Sequence, residues 1–147
     1  MDARVTDVHA HPSWHGHDID GLVANMDSLG IEKAWLLGVD SESDTAPAAW
    51  DPRYPGNSLP LVVEGLRRYP DRFIGGWAPD PTAPDSRARL KAAVEIHHLR
   101  VCGEVKFRIC YDSPDAVGMF RYCASLSLPV LFHVECPAYV SDELAEN

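Results

Sequence analysis

An α/β fold of the (β/α)8 barrel type, truncated to about five strand–helix units, follows from three observations on the chain. Short apolar runs alternate with segments of helical spacing five times along the 147 residues. The turn after the first run is His11-Pro12-Ser13-Trp14 and carries no Gly-rich phosphate loop, which disfavours an open nucleotide-binding sheet. His9, His11, Lys106 and His133 all fall at or near the C-terminal ends of strands, where parallel barrels keep their functional side chains. A complete TIM-type barrel of ~250 residues spends ~31 on each unit, so five units cannot close one. Residues 1–147 are therefore expected to be the N-terminal part of a single barrel domain, a fragment of a longer chain.

Arg4 to Ala10 reads as the first strand, and Ile19 to Leu29 as a helix with Leu22, Val23, Met26 and Leu29 at helical spacing and Gly30 as its stop. Lys33 to Val39 is an apolar run of the kind a parallel strand shows when both faces are covered. A long acidic loop, Asp40 to Asn57, precedes a helix that Ser58 can cap and Pro70 ends. Phe73 to Ala78 is the third strand, Ser86 to His98 the third helix and Val101 to Phe107 the fourth strand. Ser113-Pro114 opens a fourth helix, and Pro129 to Val134 is the fifth strand.

Composition narrows the function classes. A net charge of −9, with 13 Lys and Arg scattered along the chain, disfavours a phosphate-backbone binder. No apolar run approaches the ~20 residues that span a bilayer, and Met1-Asp2-Ala3-Arg4 lacks the features of a secretory signal. A soluble, cytoplasmic protein with a small-molecule substrate is expected, with no nucleic-acid or membrane partner; homo-oligomers remain open. Cys102, Cys110, Cys123 and Cys136 show no Cys-x-x-Cys spacing, so they read as free thiols and not as a zinc ribbon.

The chemistry is carried by Asp7-Val8-His9-Ala10-His11-Pro12. Alternate residues of a strand share a face, so His9 and His11 project together, about 6 to 7 Å apart along the strand, with Val8 and Ala10 turned into apolar packing. Imidazole suits a divalent transition metal, zinc above all. A chain with seven His can hold such a pair by chance, but its place at a strand end favours a ligand role.

The ordered set Asp-Val-His-Ala-His-Pro, Gly-Glu-Val-Lys-Phe and Leu-Pro-Val-Leu-Phe-His-Val-Glu resembles the amidohydrolase superfamily, in its amidohydrolase-related branch of metal-dependent hydrolases and decarboxylases. The resemblance covers the first five barrel units. It implies one divalent metal, zinc as the first expectation, held by His9, His11 and His133, which activates water or orients a small carboxylate, lactone or amide. It also implies a further His on strand six and an Asp on strand eight, both beyond Asn147. The catalytic groups are thus expected outside this chain, which alone would turn over little.

By alternation Glu104 and Lys106 share a face, where they could pair with each other and orient a ligand or a substrate carboxylate. Arg108 at the rim, Trp14 in the loop after strand one and Arg53 in the acidic loop are candidate substrate contacts, as are His15, His17, Trp50 and Tyr54 more weakly. Glu135 and the consecutive His97 and His98 read as structural. Two other functions fit the His-x-His pair: a non-catalytic or degenerate metal-binding domain, and a TatD-like metal-dependent nuclease, which the acidic charge disfavours.

Overall fold

The computed structural model describes residues 4–13, 16–40 and 57–134. Trp14, His15, Trp50, Arg53, Tyr54, Glu135 and Cys136 lie outside the described residues. The elements run β1 (Val5–Ala10), α1 (Ile19–Leu29), β2 (Ile31–Val39), α2 (Leu59–Arg68), β3 (Phe73–Ala78), α3 (Ser86–His97), β4 (Cys102–Val105), α4 (Pro114–Ser125) and β5 (Val130–Phe132). Strand and helix alternate as expected, and the strand pairs β1–β2, β2–β3 and β4–β5 are all parallel.

Local chemistry sets the helix ends. The Asp18 carboxylate accepts from the Gly21 N–H at 2.8 Å and caps α1, and Gly30 ends it in the left-handed region at φ 69°. Ser113 caps α4 in the same way, accepting from Ala116 N–H at 3.3 Å, with Pro114 in the first turn. Ser58 takes the N-cap position of α2, but its hydroxyl makes no capping bond; Pro60 already removes one of the donors that a cap would serve. At the far end of α2, Arg68 and Tyr69 both bind the Asp20 carboxylate of α1 at 2.5 Å, tying the two helices together. Those hydrogen bonds hold the Asp20 carboxyl below the usual carboxylate range, although the group is exposed.

The strands divide into a three-stranded sheet, β1-β2-β3, and a two-stranded sheet, β4-β5. Among the described residues a single parallel bridge, Gly76 to Val101, joins them, with Trp77 N–H donating to Val101 O at 3.2 Å and Arg100 N–H to Gly75 O at 2.8 Å. Two glycines shape this seam. A Cβ on Gly75 would lie 2.6 Å from Leu66 Cδ1 and 2.7 Å from Leu99 Cδ2, and one on Gly76 would lie 2.7 Å from Leu37 Cδ2 and 2.9 Å from Val101 Cβ. Both faces of β3 therefore close against neighbours only because these positions carry no side chain.

The outer face of the first sheet packs on the helices, Leu36 and Ala34 against Ile19, Val23 and Met26 of α1. Val62 of α2 and Ala93 of α3 meet over Trp77. Around β4, Cys102 and Val105 join Leu90, Met119 and Cys123. Val8 departs from expectation. Ala10 is buried, but Val8 is 50% exposed, because β1 lies at the sheet edge and α1 packs on β2. At the opposite edge, Phe132 and Val134 are also exposed. Among the described residues no helix is long and apolar enough to cross a membrane.

Candidate metal centre

The site begins with an irregularity in β1. Asp7 pairs with Ala34 and Ala10 with Leu36, so β1 holds one more residue than β2 between these points, a bulge. The His9 N–H donates to Asp7 Oδ1 at 2.9 Å, which supplies inside β1 an acceptor where the ladder is broken. Asp7→Ala should lower stability by about 1 kcal/mol in denaturant melts, and Asp7→Asn, which keeps the acceptor oxygen, should recover most of it.

His9 and His11 converge beyond that bulge, their ring centroids 5.0 Å apart and nearly perpendicular. They meet Glu104 of β4. His9 Nε2 lies 3.2 Å and His11 Nε2 3.3 Å from the same oxygen, Glu104 Oε2. Three strand spacings separate β1 from β4 in sheet order, about 14 Å if the strands lay flat. Contact at 3.2 Å thus requires the strands to curl toward one another, placing these side chains on the concave side. There they line a cavity of about 410 Å³ with Asp7, His17, Lys106 and His133.

Glu104 is 3% exposed, so its charge depends on these neighbours. Burial pushes its carboxyl up, but hydrogen bonds from His11 and His133 and the charges of His9 and His11 outweigh it and hold the group at about 2. A depressed folded value means that the unfolded chain takes up the proton first. The contribution to stability is therefore complete above about 4.5 and lost as pH falls toward 2, about 3 kcal/mol in all. Acid titration of the metal-free protein should show this step, and Glu104→Gln should remove it.

The donor set fits a cation. His11 Nδ1 donates to Leu37 O at 3.0 Å, so in the neutral ring Nε2 carries the lone pair. That lone pair faces a carboxylate oxygen, and two acceptors in contact call for a proton or a cation between them. Tetrahedral bonds of about 2.0 to 2.2 Å leave ligand atoms roughly 3.3 to 3.6 Å apart, and the two Nε2–Oε2 separations, 3.2 and 3.3 Å, lie at the short end of that spacing. His9, His11 and Glu104 have ligand atoms within 4.8 Å of one another, the one group of this kind among the described residues.

This trio differs from the set that the sequence resemblance implies. His133 stands outside this geometric trio, its Nδ1 hydrogen-bonded to Glu104 Oε1. Glu104, expected to pair with Lys106, spends both oxygens on imidazoles, because the curl of β4 toward β1 cannot be read from alternation within β4. Lys106 lines the cavity, half-buried, and exposed His17 reaches its edge. Arg108 is exposed and away from it. Leu22 and Asn25 of α1 also line the cavity, and nothing in their spacing signals it.

No protein-family profile and no curated protein matches the chain. Solved structures do. A probable 2-pyrone-4,6-dicarboxylic acid hydrolase from Acinetobacter baumannii superposes with a TM-score of 0.59 at 17% identity, over 98% of this chain and 55% of that one. A 5-carboxyvanillate decarboxylase from Novosphingobium aromaticivorans, with bound manganese, gives 0.59 at 22% identity over 85% and 37%. A 2,6-dihydroxybenzoate decarboxylase from Rhizobium gives 0.57 at 17% over 97% and 53%. A putative amidohydrolase from Staphylococcus aureus also superposes, with a TM-score of 0.64 at 13% identity over 95% of this chain and 51% of that one, in accord with the resemblance carried by the sequence motifs. At such identities the likeness shows the fold. The chain spans about half the length of these structures, or less.

Proposed function

We propose that the chain is the first five units of a metal-dependent hydrolase or decarboxylase barrel, with a divalent cation held by His9, His11 and Glu104. The observation that carries this reading is the convergence of two imidazole nitrogens from β1 on one buried carboxylate oxygen from β4. The parallel strand pairings and the exposed apolar residues at both edges, Val5 and Val8 on β1 and Phe132 and Val134 at β5, support a sheet that continues into a barrel.

Bound there, a cation would polarise a substrate oxygen or lower the pKa of a water. The chain's own residues do the rest. His133 and His11 keep Glu104 ionised and oriented, Leu37 O fixes the His11 ring, and Lys106 lines the same cavity. Two imidazoles and one carboxylate suit zinc, and manganese is the metal bound in the N. aromaticivorans decarboxylase.

Equilibrium dialysis against Zn²⁺ and against Mn²⁺ tests the site. One equivalent of either metal is expected, and equal uptake by a His9→Ala/His11→Ala double variant would overturn the assignment. Because the chain spans about half of its neighbours, a second reading stays in view, a metal-binding domain without turnover. Metal uptake with no hydrolysis or decarboxylation by the full barrel would favour it.

A further inference from the structure

We propose that Tyr111, outside the cavity, is a positioning residue for the centre, acting through the backbone of His133; the inference rests on the metal-site reading above. His133 follows β5, a strand of three residues paired with β4 at Cys102–Val130 and Val105–Phe132, and two further bonds flank that ladder, Cys102 N–H to Pro129 O and His133 N–H to Val105 O, both 3.0 Å. The last pair of that ladder is Val105 with Phe132, one residue before His133. Tyr111, in the turn between β4 and α4, adds a hold at this point. Its hydroxyl lies 2.8 Å from His133 O and 3.1 Å from Val105 O, and its one proton favours the shorter contact.

The backbone of residue 133 is thereby held on both sides, its N–H by Val105 and its C=O by Tyr111. The same ring also holds the neighbouring residue. Tyr111 packs on Phe132 at 5.0 Å, and Phe120 of α4 meets Phe132 edge-on at 4.9 Å. Phe132 is anchored among aromatic rings, and the His133 imidazole points to Glu104 Oε1. Tyr111 therefore aims the imidazole that orients the candidate carboxylate ligand.

Tyr111→Phe keeps the ring and removes only the hydroxyl. Two readouts separate positioning from general stability. In the metal-free protein, the ¹⁵N and ¹H signals of the His133 ring should shift, and Zn²⁺ affinity should fall by about tenfold, the lower end of what loss of an outer partner costs. In a His133→Ala background, Tyr111→Phe should cost no further affinity. Phe120→Leu, which trims the cluster and leaves both hydrogen bonds, should lower the melting temperature with the His133 signals unmoved. Unshifted His133 signals in Tyr111→Phe, or an equal loss of affinity in the His133→Ala background, would overturn the proposal. A wild-type chain that takes up no metal would sink the metal reading, and the ring signals alone would then decide the role of Tyr111.

Discussion

Glu104→Gln is expected to weaken zinc or manganese binding by more than 100-fold, and His133→Ala by only about 10- to 100-fold. The order of these two effects is the informative result. In the structure Glu104 Oε2 meets both His9 and His11, whereas the His133 ring is hydrogen-bonded to the other carboxylate oxygen, Oε1. Loss of a ligand removes a bond and a neutralising charge, whereas loss of an orienting partner costs only the fraction that orientation supplied. The superfamily resemblance assigns the opposite order, with His133 as the third ligand. Calorimetric titration of both variants decides between the two sets, and equal, negligible losses would remove both residues from the site. Glu104→Gln has a second consequence. The imidazoles of His9, His11 and His133 lose a buried anion, and breaking a buried charge cluster on one side costs about 3 to 5 kcal/mol. The metal-free variant should therefore also melt earlier than wild type.

The difference between the two ligand sets shows where sequence reading stops. The order of strands and helices among the described residues was legible, because hydrophobic period and cap chemistry are local properties, although β4 and β5 are shorter than the expected Val101–Phe107 and Pro129–Val134. Gly30 behaves as the stop that its position implied, and α1 and β3 keep the bounds read from pattern alone. His9 and His11 were legible as a pair because alternation acts within one strand. Glu104 was placed on the right face, together with Lys106, yet its partners lie on β1 and β5, and no pattern within β4 encodes how far the strands curl. The misjudged Val8 has a related cause. The bulge between Asp7 and Ala10 interrupts the alternation there, and burial of an outward residue depends on a helix covering it, whereas β1 is an edge. Tyr111 gave no signal, since a tyrosine in a turn is ordinary until its hydroxyl is seen on two carbonyls.

Gly76→Ala should couple fold and site in one measurement. The added Cβ would lie 2.7 Å from Leu37 Cδ2, which can rotate away, and 2.9 Å from Val101 Cβ, which cannot. Overpacking of this kind costs about 1 to 3 kcal/mol. The position matters more than the magnitude. Among the described residues Gly76 and Val101 form the one bridge between the two sheets, and that bridge sets the distance from β1, which carries the histidines, to β4, which carries Glu104. A strand pushed outward by even a few tenths of an ångström lengthens both Nε2–Oε2 separations at once. Metal affinity should therefore fall in Gly76→Ala although no ligand has changed. Gly65→Ala makes the control, because its Cβ would meet Leu36 Cδ2 at 2.4 Å under α2, on the helix side of the sheet. It should destabilise by a similar amount and leave metal affinity near that of wild type. Parallel losses of affinity in the two variants would show that binding follows global stability and not the seam between the sheets.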